Sequence, residues 1–347
     1  MEITDIPPLN LLWFVLLGVL LAGYAILDGF DLGVGILHLG AKNDHERRVF
    51  MNAIGPLWDG NEVWLVTFGG ALFAAFHHAY ATAFSAFYLA FWLLLAALIG
   101  RAVSMEFRSK LESPAWRRFF DYAFFAASTL ATLLFGVAVG STMSGLKIGP
   151  DMEYQGTFFD LLGVFPVITG LFAVSMFAMH GAIYLYLKTD GELQQRIRGW
   201  MWTTFGLFLI MYLFTTVFAL VNIPTASANF KDYPWCWLVV LLNILAIANI
   251  PRSIHRDKPA QAFLSSCCTI AAFVFLFGVA LFPNLLVSTL TTPELNCNIN
   301  IVNAASSQKT LGIMAIIAVL GMPMVLTYTA IIYWTFRGKV EIGKFSY

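Results

Sequence analysis

Gly55-Pro-Leu-Trp-Asp59-Gly-Asn-Glu62-Val-Trp64 sets two carboxylates, an amide and a proline inside a stretch that otherwise reads as membrane. An ionised side chain at the middle of an inserted helix costs about 3 kcal/mol. Whether residues 50–77 cross the bilayer therefore decides the fold, and the rest of the chain supplies the answer. Hydrophobic residues make up 59% of it and charged ones 12%, against roughly 45–50% and 25% in soluble domains. This composition implies an all-α, polytopic integral membrane protein. No low-complexity segment, charge run or Pro/Ser-rich linker divides it, so residues 1–347 read as a single integral membrane domain. The formal net charge is +0 and no basic patch points to nucleic acid as a partner.

Crossing roughly 30 Å of hydrocarbon takes about 20 helical residues. Nine runs are long enough, near 9–38, 50–77, 79–107, 116–144, 158–187, 196–222, 235–254, 260–284 and 310–336. Lysine and arginine arbitrate the second of them, because cytoplasmic connections carry the excess. The alternate connections 39–49, 101–118, 188–198 and 252–259, with the tail after Phe336, hold 17 of the 20 basic residues. Only Lys147, Lys231 and Lys309 lie elsewhere. Nine spans, with the N-terminus outside and the C-terminus cytoplasmic, satisfy this alternation; eight break it. No basic residue precedes the first apolar run, which is read as a retained helix and not as a cleaved signal. Cys236 and Cys297 both fall on the outer side, where a disulfide can persist, although unpaired buried thiols fit the sequence as well. Cys267 and Cys268 read as packing residues of the eighth span.

Three polar clusters interrupt the apolar background. The first span ends in Asp28-Gly-Phe-Asp31-Leu-Gly33, whose Gly29 and Gly33 form a G-x-x-x-G that admits a close neighbouring helix. Asp28, the deeper carboxylate, is a candidate functional residue; Asp31 either lines the same path or pairs at the helix mouth with Lys42 or Arg47. In the second span Pro56 removes a backbone hydrogen bond just before Trp58 and Asp59. Asp59 and Glu62 share a helix face while Asn61 points elsewhere, and Asp59 lies roughly 15 Å from the cytoplasmic end by helical rise. A structural hydrogen bond to a neighbouring helix is the competing account of both carboxylates. Span three closes with Arg101, Glu106 and Lys110, the last two spaced as a surface ion pair worth about 0.3–0.5 kcal/mol. If that end packs against Asp59, Glu106 becomes an entrance relay.

Six histidines raise the question of haem, for which imidazole is a common ligand. Five of them, His38, His45, His77, His78 and His255, fall near helix ends or in connections, which leaves His180 alone inside a span. No haem or metal site is expected from this chain by itself. Neither a phosphate-binding loop, nor paired C-x-x-C, nor H-E-x-x-H occurs.

Asp28-Gly-Phe-Asp-Leu-Gly-Val-Gly35, Asn43-Asp44 with Glu46-Arg-Arg48, Trp58-Asp-Gly-Asn61 with Val63-Trp64, Gly69-Gly-Ala-Leu-Phe-Ala74 and Arg108-Ser-Lys110 together resemble subunit II of the cytochrome bd quinol oxidases. Phe282-Pro283 and Ala305-Ser-Ser-Gln308 extend the resemblance to the last span. It implies a respiratory complex of the bacterial cytoplasmic (inner) membrane that oxidises quinol at the outer side and reduces dioxygen to water. It further implies that haem b and haem d reside in the partner, subunit I, and that this chain is a haem-free helical partner contributing a cytoplasmic proton path. A structural quinone, small accessory subunits and membrane lipid are further partners that the resemblance allows.

Carried over by position, Asp59 is the intramembrane relay, with Asp28 and Asp31 lining or supporting it. Glu106 stands where the family can have aspartate, Lys110 matches a basic residue at the entrance, and Glu62 stands where an amide occurs in some members. Trp58, Trp64 and Arg101 match family blocks as positioning residues. The rival from another class is an ion-coupled secondary transporter using Asp28, Asp31 and Asp59, which internal repeats would favour; no convincing repeat is visible in the sequence.

Overall fold

In the computed structural model, which describes residues 5–343, prolines and small polar residues open several of the helices. α1 (Pro8–Leu37), α6 (Pro114–Ser144) and α11 (Pro259–Leu281) begin with proline, whose missing N–H has no helical partner to lose there. Asn43 caps α2 (Asp44–Ile54) by accepting from the Glu46 amide, and Ser307 caps α12 (Gln308–Thr335) by accepting from that of Thr310. The other helices are α3 (Trp58–Ala75), α4 (His77–Ala86), α5 (Tyr88–Phe107), α7 (Val164–Lys188), α8 (Gly191–Asn222), α9 (Thr225–Asp232) and α10 (Cys236–His255).

Eight of the described helices, α1, α5, α6, α7, α8, α10, α11 and α12, are long and apolar enough to cross a membrane. The expected span at 50–77 is not among them, and the reason is local. The chain turns through Gly55-Pro56-Leu57, so the residues before it form the separate α2 and the 18-residue α3 starts only at Trp58. The whole polar cluster then falls in the opening turns of α3 and lowers its hydropathy. Even so, α3 runs antiparallel to α1 from one end of the bundle to the other. Asn61 sits beside Leu27 and Asp31, Trp64 lies over Gly23, and Ala75 joins Trp13 and Leu17 in the core at the far end. The expected third span also divides, at Phe87, into α4 and α5.

α7 is the axis of the bundle: 78% of its apolar stretch is buried, against 11% for α8 and 6% for α12. It packs against α1, α6, α8 and α11. Its crossing with α1 is closed to any side chain. A Cβ on Gly33 would fall 2.0 Å from the Phe177 carbonyl oxygen, and one on Gly181 would fall 2.4 Å from the Gly33 carbonyl carbon. Gly29 faces the Phe177 ring, so the Gly29/Gly33 pair makes the close helix contact that its spacing implies.

The two ends of the bundle differ. At one end lie the basic connections. At the other, the polar stretch 284–308 folds into a cap, with β1 (Asn284–Leu286) antiparallel to β2 (Ile299–Asn300) and Leu146 bridged to Ser288. The Asn10 side chain donates to the Ile301 carbonyl at 2.7 Å and ties this cap to α1. Cys236 and Cys297 are buried near it as free thiols, without a bridge.

In the same cap Lys147 pairs with Asp160 at 2.7 Å, and the Thr157 amide and hydroxyl donate to the same carboxyl. These partners, Lys147 first, lower the Asp160 pKa from 3.8 to about 2. The folded value lies below the unfolded one, so the contribution is present above pH about 4 and is lost as pH falls through the folded pKa. Amide protection of residues 157–161 is expected to fall over that window in hydrogen exchange. In Asp160→Asn it should be low already at neutral pH and show no such acid transition. An unchanged acid transition in the variant would assign the effect to another group.

Candidate functional site

Arg101 is the centre of the polar interior. It projects from α5, is fully buried, and donates from Nη1 to Asp28 Oδ1 at 2.7 Å and from Nη2 to Glu62 of α3. Tyr24, one turn before Asp28 on α1, gives its hydroxyl to the other Asp28 oxygen at 2.7 Å. Residues 24, 28 and 31 fall on one face of α1, which brings Asp31 into the same interior. Asp31 is fully buried, and the Asn61 side-chain amide donates to its Oδ2 at 2.7 Å and to the Leu27 carbonyl at 3.2 Å. Tyr333 of α12 completes this layer by donating to Asn61 Oδ1 at 2.9 Å. Four helices thus converge on two aspartates.

The electrostatics of the cluster are unbalanced. Asp28, Asp31 and Glu62 share a single guanidinium; the two aspartates are fully buried and Glu62 is partly buried. Buried charge must be paired, and where acids outnumber cations a proton is the available compensation. Asp31 Oδ1 has no hydrogen-bond partner among the described residues, so the cluster is not saturated by them. It also has a direction. Asp28 and Arg101 are 0% exposed at the side chain, Glu62 is 26% exposed, and Asp59, three residues earlier on α3, is exposed on the outer surface of the chain. A row of carboxylates therefore runs from the core to the surface of α3.

The structure brings Asp28, Glu62 and Arg101 into direct contact and sets Asp31 one layer away through Asn61. Asp59 is the second residue of α3, so the ten helical residues expected ahead of it are replaced by the break and α2. Glu106, on the last turn of α5, and Lys110, on the 3₁₀ turn that follows, are exposed outside the buried cluster. Trp64 lies over Gly23 and Trp58 packs on the core, so each fixes α3 against its neighbours.

Asp31 does not pair with Lys42 or Arg47. Arg47 donates to Asp121 at 2.6 Å, and Lys42 is exposed while Asp31 is fully buried. Asp121 also accepts from Arg108 Nε at 2.6 Å and meets His38 Nε2 at 2.7 Å, a knot joining the 3₁₀ turns that follow α1 and α5 to α2 and α6 at the basic end. Arg196 clamps Glu46 beside it. Burial opposes ionisation of Glu46, but Arg196 and the Lys42 amide outweigh it and hold the carboxyl below its usual range.

Sequence reasoning missed Tyr24, Tyr333 and Asp121 as members of these networks, and it placed Asn61 in the polar cluster without foreseeing its contact with Asp31. For Asp121 a signal exists, a lone carboxylate in the aromatic run Phe119-Phe-Asp-Tyr122. His180 is held as a structural group: Nδ1 meets Ser266 Oγ at 2.7 Å and Nε2 meets the Ile26 carbonyl at 3.0 Å. With both ring nitrogens engaged, it does not fit the role of an axial haem ligand.

Residues 9–336 match the family described as cytochrome bd terminal oxidase subunit II. The chain is 36% identical over 368 aligned positions to cytochrome bd-I ubiquinol oxidase subunit 2 of Escherichia coli (strain K12), covering 97% of this chain and 96% of the relative. It is 33% identical over 333 positions to cytochrome bd ubiquinol oxidase subunit 2 of Bacillus subtilis (strain 168), covering 95% and 96%. A chain in the solved structure of bd oxidase from Geobacillus thermodenitrificans superposes with a TM-score of 0.78 at 14% identity, covering 95% of this chain and 99% of that one, a likeness of fold. With the match running through the Asp28, Trp58–Asn61 and Arg101 segments that build the buried cluster, the chain belongs to the cytochrome bd terminal oxidase subunit II family.

Proposed function

We propose that this chain is the haem-free subunit of a bd-type quinol:dioxygen oxidoreductase and that its carboxylates carry protons from the cytoplasm toward the oxygen-reducing haem of a partner subunit. The observation that carries the reading is the row Asp28–Arg101–Glu62–Asp59, buried at one end and open on the surface of α3 at the other. An exposed carboxylate on the membrane-embedded part of a helix requires a covering partner or water. A second subunit seated on α3 supplies that cover and receives the proton.

The distribution of basic residues supports a cytoplasmic basic end, with the N-terminus outside and the complex in the bacterial cytoplasmic membrane. Haems b and d belong in this reading to the partner, subunit I, as the family resemblance implies; His180 inside α7 has both ring nitrogens engaged, and His38 is tied through Nε2 to Asp121. Those haems supply the redox chemistry. This chain holds and moves protons: Glu106 and Lys110 take them up at the basic end, Asp59 relays them, and Asp28, Asp31 and Glu62, poised by Arg101, exchange them within the bilayer. A transporter is not supported, because the family match covers residues 9–336.

Asp59→Asn, in the complex purified with its partner, is expected to lower oxygen consumption on the order of 100-fold while haem content stays normal. Asp59→Glu should retain more activity. Full turnover in Asp59→Asn would remove the relay.

A further inference from the structure

Tyr333 closes the buried cluster from a side where no carboxylate stands. Its hydroxyl donates to Asn61 Oδ1, and an amide whose oxygen is engaged must turn its Nδ2 toward Asp31 and Leu27. Asn61 is 2% exposed, so solvent does not compete for either end of it. Released from the phenol, the amide loses the donor on Oδ1 and is held only through its Nδ2 contacts to Asp31 and Leu27, so its position against Asp31 is no longer fixed from both ends. The Tyr333 ring is itself placed, edge-on to Phe30 at 6.4 Å, and Phe30 stacks on Tyr184 of α7 at 4.0 Å.

α12 needs such fixing because so little of it is buried. Ile332, Tyr333 and Val340 pack on the core at its C-terminal end, and a polar latch adds to them. Lys188, at the end of α7, donates from Nζ to the Phe336 carbonyl and, at 3.4 Å, to that of Gly338. The Val340 amide donates back to the Lys188 carbonyl at 2.9 Å, and Lys339 Nζ donates to the Tyr186 carbonyl at 3.4 Å. Lys188 is 8% exposed and makes no ion pair among the described residues, so tail carbonyls are its principal partners. Phe336 is three residues beyond Tyr333. The latch therefore fixes the height of α12 at which the phenol meets Asn61.

We propose that Tyr333 is a positioning residue that orients the Asn61 amide toward Asp31, and that the Lys188–tail latch sets its register. The effect on turnover rests on the proton-path reading; the orientation of Asn61 does not. The test uses the complex containing this chain, with Tyr333→Phe, Lys188→Met and Lys188→Arg. Infrared bands of Asp31 are assigned by their loss in Asp31→Asn or, should that variant fail to assemble, by isotopic labelling of aspartate.

The bands are expected to shift in Tyr333→Phe and Lys188→Met and to stay in place in Lys188→Arg. Turnover should fall roughly 2- to 10-fold in the first two, the size of one hydrogen bond, with quinol KM and haem content unchanged. Asp31 bands in Tyr333→Phe that superimpose on those of the wild type would overturn the proposal. Shifted bands with undiminished turnover would uphold the positioning role and instead remove the proton path.

Discussion

Replacing Arg101 by glutamine is expected to leave little of the chain folded in the membrane. The side chain is fully buried and pairs with Asp28 and Glu62 at once, so its loss leaves two carboxyls with no counter-charge in a low-dielectric interior. Breaking a buried pair by removing one partner costs about 3–5 kcal/mol, a large share of the roughly 5–15 kcal/mol that holds a typical protein folded. Lysine restores the charge but not the fork that reaches two helices, so Arg101→Lys should fall between glutamine and wild type. Adding Asp28→Asn to Arg101→Gln removes an unpaired charge and should recover part of the loss, which a double-mutant cycle on melting in detergent would measure. Wild-type abundance and melting in Arg101→Gln alone would show that the cluster does not hold α1, α3 and α5 together.

The second large effect is expected at Gly33. A methyl group added there would lie 2.0 Å from a backbone carbonyl of α7, an atom that cannot swing aside as a side chain can. Gly33→Ala must push α1 away from the central helix, and overpacking of this kind costs about 1–3 kcal/mol or more. The displacement also moves Asp28 and Asp31 relative to Arg101 and Asn61, so activity should fall along with melting temperature. Gly18, also on α1, has nothing within 4 Å of the corresponding position. Gly18→Ala should therefore be neutral or slightly stabilising through helix propensity. Equal effects at the two sites would refute the close-crossing account.

The α class, most of the helices and the Gly29/Gly33 contact were legible because they rest on local quantities: hydropathy summed over a turn or more, and small residues at helical spacing. The break at Gly55-Pro56-Leu57 was legible as a loosening of the helix, but its consequence was not. Pro56 signals a defect without fixing whether the chain bends or starts a new helix, and the new start at Trp58 moved Asp59 from mid-span to a helix end. Within the site, Asp28, Asp31, Glu62 and Arg101 announced themselves as charges in an apolar background. Tyr24 and Tyr333 did not, because tyrosine is inexpensive enough to occur anywhere; Asn61 stood in the polar cluster, but its facing Asp31 was not foreseen, and it meets Tyr333 only after the chain returns through α12. The alternative that paired Asp31 with Lys42 or Arg47 fails for a related reason: Asp121, the partner of Arg47, is close to it only once α6 has packed beside α1.

The polar opening of α3 has a consequence for how the chain is made. Five residues, Trp58-Asp-Gly-Asn-Glu62, precede its apolar part, and a lipid-facing helix beginning this way partitions poorly while it is alone. Its Asn61 and Glu62 are satisfied by Asp31 and Leu27 of α1, which has already emerged, and by Arg101 of α5, which is still inside the ribosome when α3 emerges. Integration of α3 is thus a cooperative event, begun against α1 and sealed when the guanidinium arrives some forty residues later. The residues proposed to exchange protons in the finished complex would then also act as an assembly checkpoint during synthesis.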